Sequence, residues 1–319
     1  KKLDGTASKL DGTDGDVMVS IEPLWWKVTE NSSSRLAIQI SEAPISGGVT
    51  AHVFNGTVRR YLHMGMFNMT NGQAISIYST QAPTSSSDYS HPWTNMTNDS
   101  ARTAAENRGA TYSTTTGLTW ELYKLLVLFT SGSVNSQTTV GQDLTSGNKT
   151  AVATTAMLTA NGYTSSTKTS ASTSLMYLFL ANPWGNVRDW ICGFKSVGGV
   201  WKIINDQSQA RGVSVDASTP STWSSLTFPS GSSGSIVSDM QGVDAAPLIG
   251  KTLTGSDMNK YYCDALYHSN SGNKCAVVGG AYGDDSGAGV FYVGAGGSSS
   301  SARDGIGARL QCLDAEVYS

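Results

Sequence analysis

The sequence predicts an α+β fold with antiparallel sheets, one main buried helix, long loops and a β-rich N-terminal part. Three observations carry this expectation. The 35 Gly and a heavy Ser/Thr load favour turns over long helices. The 8 Trp and 13 Tyr supply large anchors for short strands. The apolar residues come in brief runs separated by Gly, Asn-Pro, Ser or Asp clusters, and only one segment has a convincing helical pattern. With 319 residues, 39% of them hydrophobic and 14% charged, the chain has apolar material for one large core or two modest ones.

From the N-terminus, Lys2–Thr6 and Lys9–Thr13 form a tandem repeat whose Asp-Gly pairs signal turns between short extended pieces. Asp16–Val28 mixes alternation with β-branched and aromatic residues, and Arg35–Ile40 alternates at period two, so both read as strands. Further extended pieces follow at Tyr61–Met69 and Ala74–Tyr78. The polar stretch Gln81–Asn98 reads as a surface loop and marks the internal boundary, giving an N-terminal β-rich region over 1–88 and a ligand-binding domain over 89–319.

Leu118–Thr130 is the predicted main helix, with Thr119 as cap and Glu121 in the first turn, where the helix dipole favours a carboxylate. Its apolar residues cover most of the circumference, which places it in the core. Asn135–Gln142 suggests a short second helix, and Asn148–Ser174 a long loop with short strands. In the second half, Ser174–Leu180, Val187–Phe194, Gly199–Ile204, Ala276–Gly279, Gly289–Val293 and Ala308–Cys312 read as strands of an antiparallel sheet.

Charge and motifs narrow the function classes. A net charge of −3 and scattered Lys and Arg give no field for nucleic acid. The longest apolar candidate, Leu122–Phe129, is too short to cross a membrane, and no signal-peptide core follows Lys1 and Lys2, so export is either trimmed or not needed. Cys192, Cys263, Cys275 and Cys312 contain no C-x-x-C pair; they read as buried thiols or as a Cys263–Cys275 bridge closing a small loop. The four His do not flank them at zinc spacing. Six N-x-Ser/Thr sequons, at Asn31, Asn55, Asn68, Asn95, Asn98 and Asn148, are what so Ser/Thr-rich a chain gives by chance.

Three ordered segments resemble a known family. They are Leu10–Val19 with the Pro23–Val28 aromatic strand, the turn Asn182–Trp190 (NPWGNVRDW), and Gly279–Tyr292 leading to Gly305–Leu310. Together they look like the C-type-lectin-like proteins of phages and prophages, many of them targets of diversity-generating retroelements; the turn is also similar to one in formylglycine-generating enzymes. Arg102–Tyr123 is similar too, and sets the helix where that fold has its first. Each piece is short, and their order along the chain carries the resemblance. It implies a C-type-lectin-like fold and a receptor-binding protein of a phage tail-fibre tip, or a surface-displayed relative. Its C-terminal face would be hypervariable where a retroelement acts. The implied partner is a bacterial surface receptor, protein or glycan, and the implied assembly a homotrimer on the virion or the cell surface.

The residues of these segments support that picture. Pro183 and Gly185 force a tight turn, Trp184 and Trp190 bring buried area, and Asn186 can bond loop backbone. The loops around Val277–Gly280, Gly289–Val293 and Ile306–Leu310 hold the candidate ligand-binding residues Tyr282, Asp284, Asp285, Ser286, Tyr292, Ser298, Ser299, Ser300, Ser301, Arg303 and Asp304. Tyr among Ser, Gly and Asp is a paratope-like mixture of rigid aromatic area and adaptable hydrogen bonding. Gly294–Ser301 also reads as a linker.

Catalysis is not expected, and neither a cofactor nor a metal. The reactive cysteine pair of the oxidase relatives has no counterpart, since Cys312 stands apart from Cys275. The E-P-N, Q-P-D and W-N-D triplets of calcium-binding lectins do not occur; Asp284, Asp285 and Asp304 would bind a hard cation only if their loops converged. No Ser-His-Asp elbow or paired-carboxylate spacing is evident. The alternatives are a structural virion or baseplate component with Gly294–Ser301 as spacer, and a carbohydrate-active surface protein.

Overall fold

Short strands dominate the computed structural model, which describes residues 14–70, 76, 92–141, 175–255, 262 and 264–318. The tandem repeat at 2–13, most of the 74–78 piece and the 81–91 and 148–174 stretches lie outside those residues, as do His91 and Cys263. Among the described residues the fold is sheet-rich α+β with three α-helices.

One twelve-stranded sheet organises the chain. Its main path runs Met18–Ile21, Leu62–Asn68, Ile306–Leu313, Arg188–Val197, Asn273–Gly279, Gly289–Gly297, Ala265–His268, Ser235–Val243 and Ala246–Leu253. N-terminal strands thus pair directly with the C-terminal one, with Leu62 opposite Leu313 and Asn68 opposite Arg309. The sheet is not purely antiparallel: Arg188–Trp190 pairs in parallel with Ile306–Ala308, and Leu266–His268 with Val293–Ala295. Parallel neighbours require long connections, and the loops and hairpins between these strands supply them.

The predicted N-terminal strands form at Met18–Ile21, Trp25–Asn31 and Leu36–Ser41. The last two make a hairpin tied to the main sheet by Trp26, whose Nε1 donates to Asp244 O at 2.7 Å. The expected strand at the 174–180 run is instead a small hairpin, Met176–Tyr177 with Leu180–Ala181. Leu178 and Phe179 between them have φ of 46° and 68°, the left-handed turn that a two-residue hairpin demands.

Helix α1 (Asn98–Glu106) is capped by Thr97 and α2 (Gly117–Ser131) by Thr116, which accepts from Thr119 N at 3.2 Å. The cap is therefore Thr116 and not Thr119, which is buried and accepts from Gln207 Nε2. Glu121 does not serve the dipole either, because its buried carboxylate pairs with Lys124. Helix α2 ends at Gly132, left-handed at φ 65°. The short helix α3 (Ser136–Thr139) falls where the sequence places a second helix.

Alternation along the strands divides the core into two faces. On one face, Phe291, Val293, Ala276, Val278 and Ile191 pack with Leu118, Trp120, Leu122 and Leu125 of α2. On the other, Trp190, Cys275, Val277, Tyr292 and Ile306 pack with Ala101 and Ala105 of α1. Helix α1 covers only part of that second face. Cys192, Cys275 and Cys312 are free, buried thiols, and Cys263, the other half of the expected bridge to Cys275, lies outside the described residues. Burial pushes the first two up to about 12 and Cys312 to about 11, which leaves them unreactive.

Candidate functional site

The Gly289–Gly297 strand builds the site by alternation. Phe291, Val293 and Ala295 point into the α2 side of the core, so Tyr292, Gly294 and Gly296 fall on the opposite face. Two glycines in alternate positions leave a trough there. The result is a cleft of about 300 Å³ with Gly294, Gly296 and Gly297 in its lining, beside Arg188, Trp190, Val277, Tyr292 and Ile306. Tyr267, Ser301 and Arg303 complete it. A Cβ on Gly294 would come within 2.9 Å of Val277, whereas one on Gly296 would meet nothing within 4 Å.

The predicted residues divide into three groups. Tyr292, Ser301 and Arg303 line the cleft. Tyr282 and Asp304 lie beside it as a pair, the phenol donating to Asp304 Oδ2 at 3.0 Å. Asp284 is withdrawn behind the wall, accepting from Arg188 Nη2 at 2.6 Å and from Ala281 N at 2.6 Å. Asp285, Ser286, Ser298, Ser299 and Ser300 are outside the lining.

Two expectations need correction. Tyr292 is not an exposed anchor: it is 2% exposed, its hydroxyl accepts from Arg188 Nε at 2.9 Å, and burial holds its phenol well above the usual range. Strand alternation turns it inward. Gly294–Ser301 is not a linker, because the strand continues to Gly297, paired with Cys275. Ser298–Ser301 is then a closed turn, with Ser301 N donating to Ser298 O at 3.0 Å and Ser298 N to Ser301 Oγ at 2.9 Å. Arg309, at the end of the segment, is fully buried and belongs to the scaffold.

Arg188 and Tyr267 were not singled out from the sequence. Arg188 leaves the NPWGNVRDW turn, whose Trp184 and Trp190 are buried as expected. Burial works against its charge, and Tyr292 and Asp284 outweigh that effect and hold the guanidinium protonated. Tyr267 is 40% exposed, its ring 5.8 Å from that of Tyr292. Gly234 supports it from below, since a Cβ there would sit 2.8 Å from the ring. Among the described residues no group of three His, Cys, Asp or Glu is placed to hold a metal. A larger hollow of about 690 Å³ lies between Ile21–Leu24 and Tyr318, but its one cation, Arg60, is already paired with Glu316 at 2.8 Å.

Asp264 fixes the cleft strand from behind. Its carboxylate accepts from Phe291 N at 2.6 Å, and burial raises its pKa well above the usual range. A folded pKa above the unfolded value means that stability is greatest below about pH 4 for this group and falls as pH rises through the folded value. Asp264→Asn cannot ionise and is expected to remove that slope. In thermal melts between pH 4 and 8, the wild type should lose more stability toward high pH than the variant. Parallel profiles would refute this account.

No protein-family model matches the chain, and no curated protein does. Among solved structures it is similar to Treponema denticola variable protein 1, at 11% identity and a TM-score of 0.37, with 93% of this chain and 95% of that chain covered.

Proposed function

We propose that the chain is a non-enzymatic binding protein that presents the cleft of Arg188, Tyr267, Tyr292 and Arg303 to a receptor on a bacterial surface. The observation that carries this reading is the cleft itself: a trough on the sheet, with an exposed ring at its mouth and a guanidinium that has no carboxylate partner among the described residues. A small concave site with a few fixed polar groups is the usual form of a binding site. Among the described residues its lining has no carboxylate, imidazole or thiol, which favours binding over catalysis. The ordered sequence motifs support a C-type-lectin-like fold and a place at a phage tail-fibre tip or on a cell surface. A homotrimer would add avidity to weak single sites.

Gly296 supplies the test. A Cβ there meets nothing within 4 Å and lies on the cleft face, so Gly296→Phe is expected to fold and to lose adsorption to susceptible cells by about tenfold or more. Full adsorption by a folded Gly296→Phe protein would sink the reading. The spacer role for Gly294–Ser301 in a purely structural component is disfavoured by the pairing of Gly297 with Cys275 and by the closed serine turn.

A further inference from the structure

We infer that the ligand of this cleft is an acidic saccharide, its sugar ring lying on Tyr267 and its oxyanion held by Arg303. This rests on the binding reading above and names the ligand class. The charge pattern is the first ground. The chain is net negative, yet the cleft lining holds two arginines and no acid. Asp284, behind the wall, pairs with Arg188 and offsets its charge, and Asp304 accepts from Tyr282, so the uncompensated cation of the lining is Arg303.

Arg303 is different from Arg188. Its backbone is fixed, with the carbonyl accepting from Asn95 N at 3.0 Å and Ile306 N at 3.2 Å, while its side chain donates to no described protein atom. A guanidinium held by its backbone and left without a carboxylate is an open fork for a carboxylate or phosphate oxygen. Arg188 adds to this from the wall. Its Nε and Nη2 are used by Tyr292 and Asp284, and its Nη1 donates to no described protein atom.

The aromatic and polar surfaces select a sugar. Tyr267 is wedged between Gly234 and Tyr292, so its exposed part is presented in one orientation. A pyranose offers such a ring an apolar face of C–H groups and, at its edges, hydroxyls for Ser301 and for the backbone of the glycine floor. Trp190, Val277 and Ile306 in the cleft lining are each buried, so the exposed ring of Tyr267 is the aromatic surface the cleft offers. Its size, about 300 Å³, suits a mono- or disaccharide unit of a longer chain.

The experiment uses the full chain against immobilised polygalacturonate and phosphomannan, each beside its carboxyl-reduced or dephosphorylated form, with polyglutamate as a non-sugar polyanion. The wild type should bind at least one acidic polysaccharide, more weakly as salt rises, and ignore the neutralised forms and polyglutamate. Which polymer binds tells carboxylate from phosphate. Tyr267→Ala and Arg303→Ala should each lose about tenfold, and Arg35→Ala, which removes an equal charge from an exposed site outside the cleft lining, less than about twofold. Binding to neither acidic polymer, equal binding to the neutralised forms or to polyglutamate, or equal loss in Arg35→Ala overturns the inference. The two failures are separable: if only the ligand class is wrong, Gly296→Phe still loses adsorption to cells by about tenfold or more.

Discussion

Replacing Arg309 with Met is expected to cost about 3–5 kcal/mol of stability, the range for removing one partner of a buried ion pair. The side chain is fully buried and spends every nitrogen on the protein. Nε faces Asp189 Oδ2 at 3.3 Å, Nη1 donates to Gly65 O and Met66 O at 3.0 and 2.8 Å, and Nη2 to Ala181 O and Asn182 O at 2.9 and 3.1 Å. It therefore joins the N-terminal strand, the small hairpin and the turn that launches Arg188. Met fills similar space but leaves those carbonyls and the Asp189 carboxylate without their donor, apart from Asn68 Nδ2 at 2.7 Å.

The loss should also depend on pH. Burial raises the pKa of Asp189, and Arg309 is the charge that opposes that rise. Without Arg309 the folded pKa climbs further above the unfolded value, so the deficit is smallest near pH 4 and grows as pH rises through the folded pKa. Urea unfolding of Arg309→Met at pH 5 and pH 8 measures both effects. A deficit under about 1 kcal/mol at pH 8 would show that the network is not structural. Arg309→Lys keeps the charge but not the planar fork, and should recover only part of the loss.

The sequence makes the main helix legible because α2 is apolar on nearly every face, and it makes the aromatic turn legible because Pro183 and Gly185 punctuate two buried tryptophans. It hides the Ser235–Val243 and Ala246–Leu253 hairpin. Three register shifts interrupt that pairing, and Pro247 and Gly250 lie within the second strand, so no period-two alternation survives. Helix α1 escapes for another reason: it buries small residues, Ala101 and Ala105, which make no apolar stripe. The cleft is half legible. Its C-terminal loops show in their composition, but Arg188 and Tyr267 come from strands far apart in the chain and meet only through sheet order. The glycines of Gly294–Gly297 look like a linker until their alternation with Ala295 and Val293 places them in a strand.

The same hairpin explains the second large effect, expected at Lys124. Lys124 and Glu121 are 1% exposed and pair with one another inside the core. Burial pushes the Glu121 carboxyl up and the Lys124 ammonium down, each opposed by the other's charge. Such a pair is often replaceable by apolar residues at little cost. Here it has a further duty. Between Gln241/Ile249 and Val243/Ala246 the register shifts, so the second strand carries an extra residue. Leu248 lies in that bulge, and its N–H donates to Glu121 Oε2 at 3.1 Å while its carbonyl accepts from Lys124 Nζ. The ion pair thus satisfies backbone that the bulge releases from the ladder.

Lys124→Met or Glu121→Leu alone should cost about 3–5 kcal/mol, since either leaves a buried charge unpaired. The double variant removes both charges, yet it leaves the two polar groups of Leu248 unsatisfied at about 1–3 kcal/mol each. It should therefore be less damaged than the sum of the single variants but still about 2 kcal/mol or more below wild type. A double-mutant cycle by urea unfolding reads both quantities. If the double variant matched the wild type, the pair would be an ordinary buried salt bridge, and the bulge at Leu248 would need another source of hydrogen bonds.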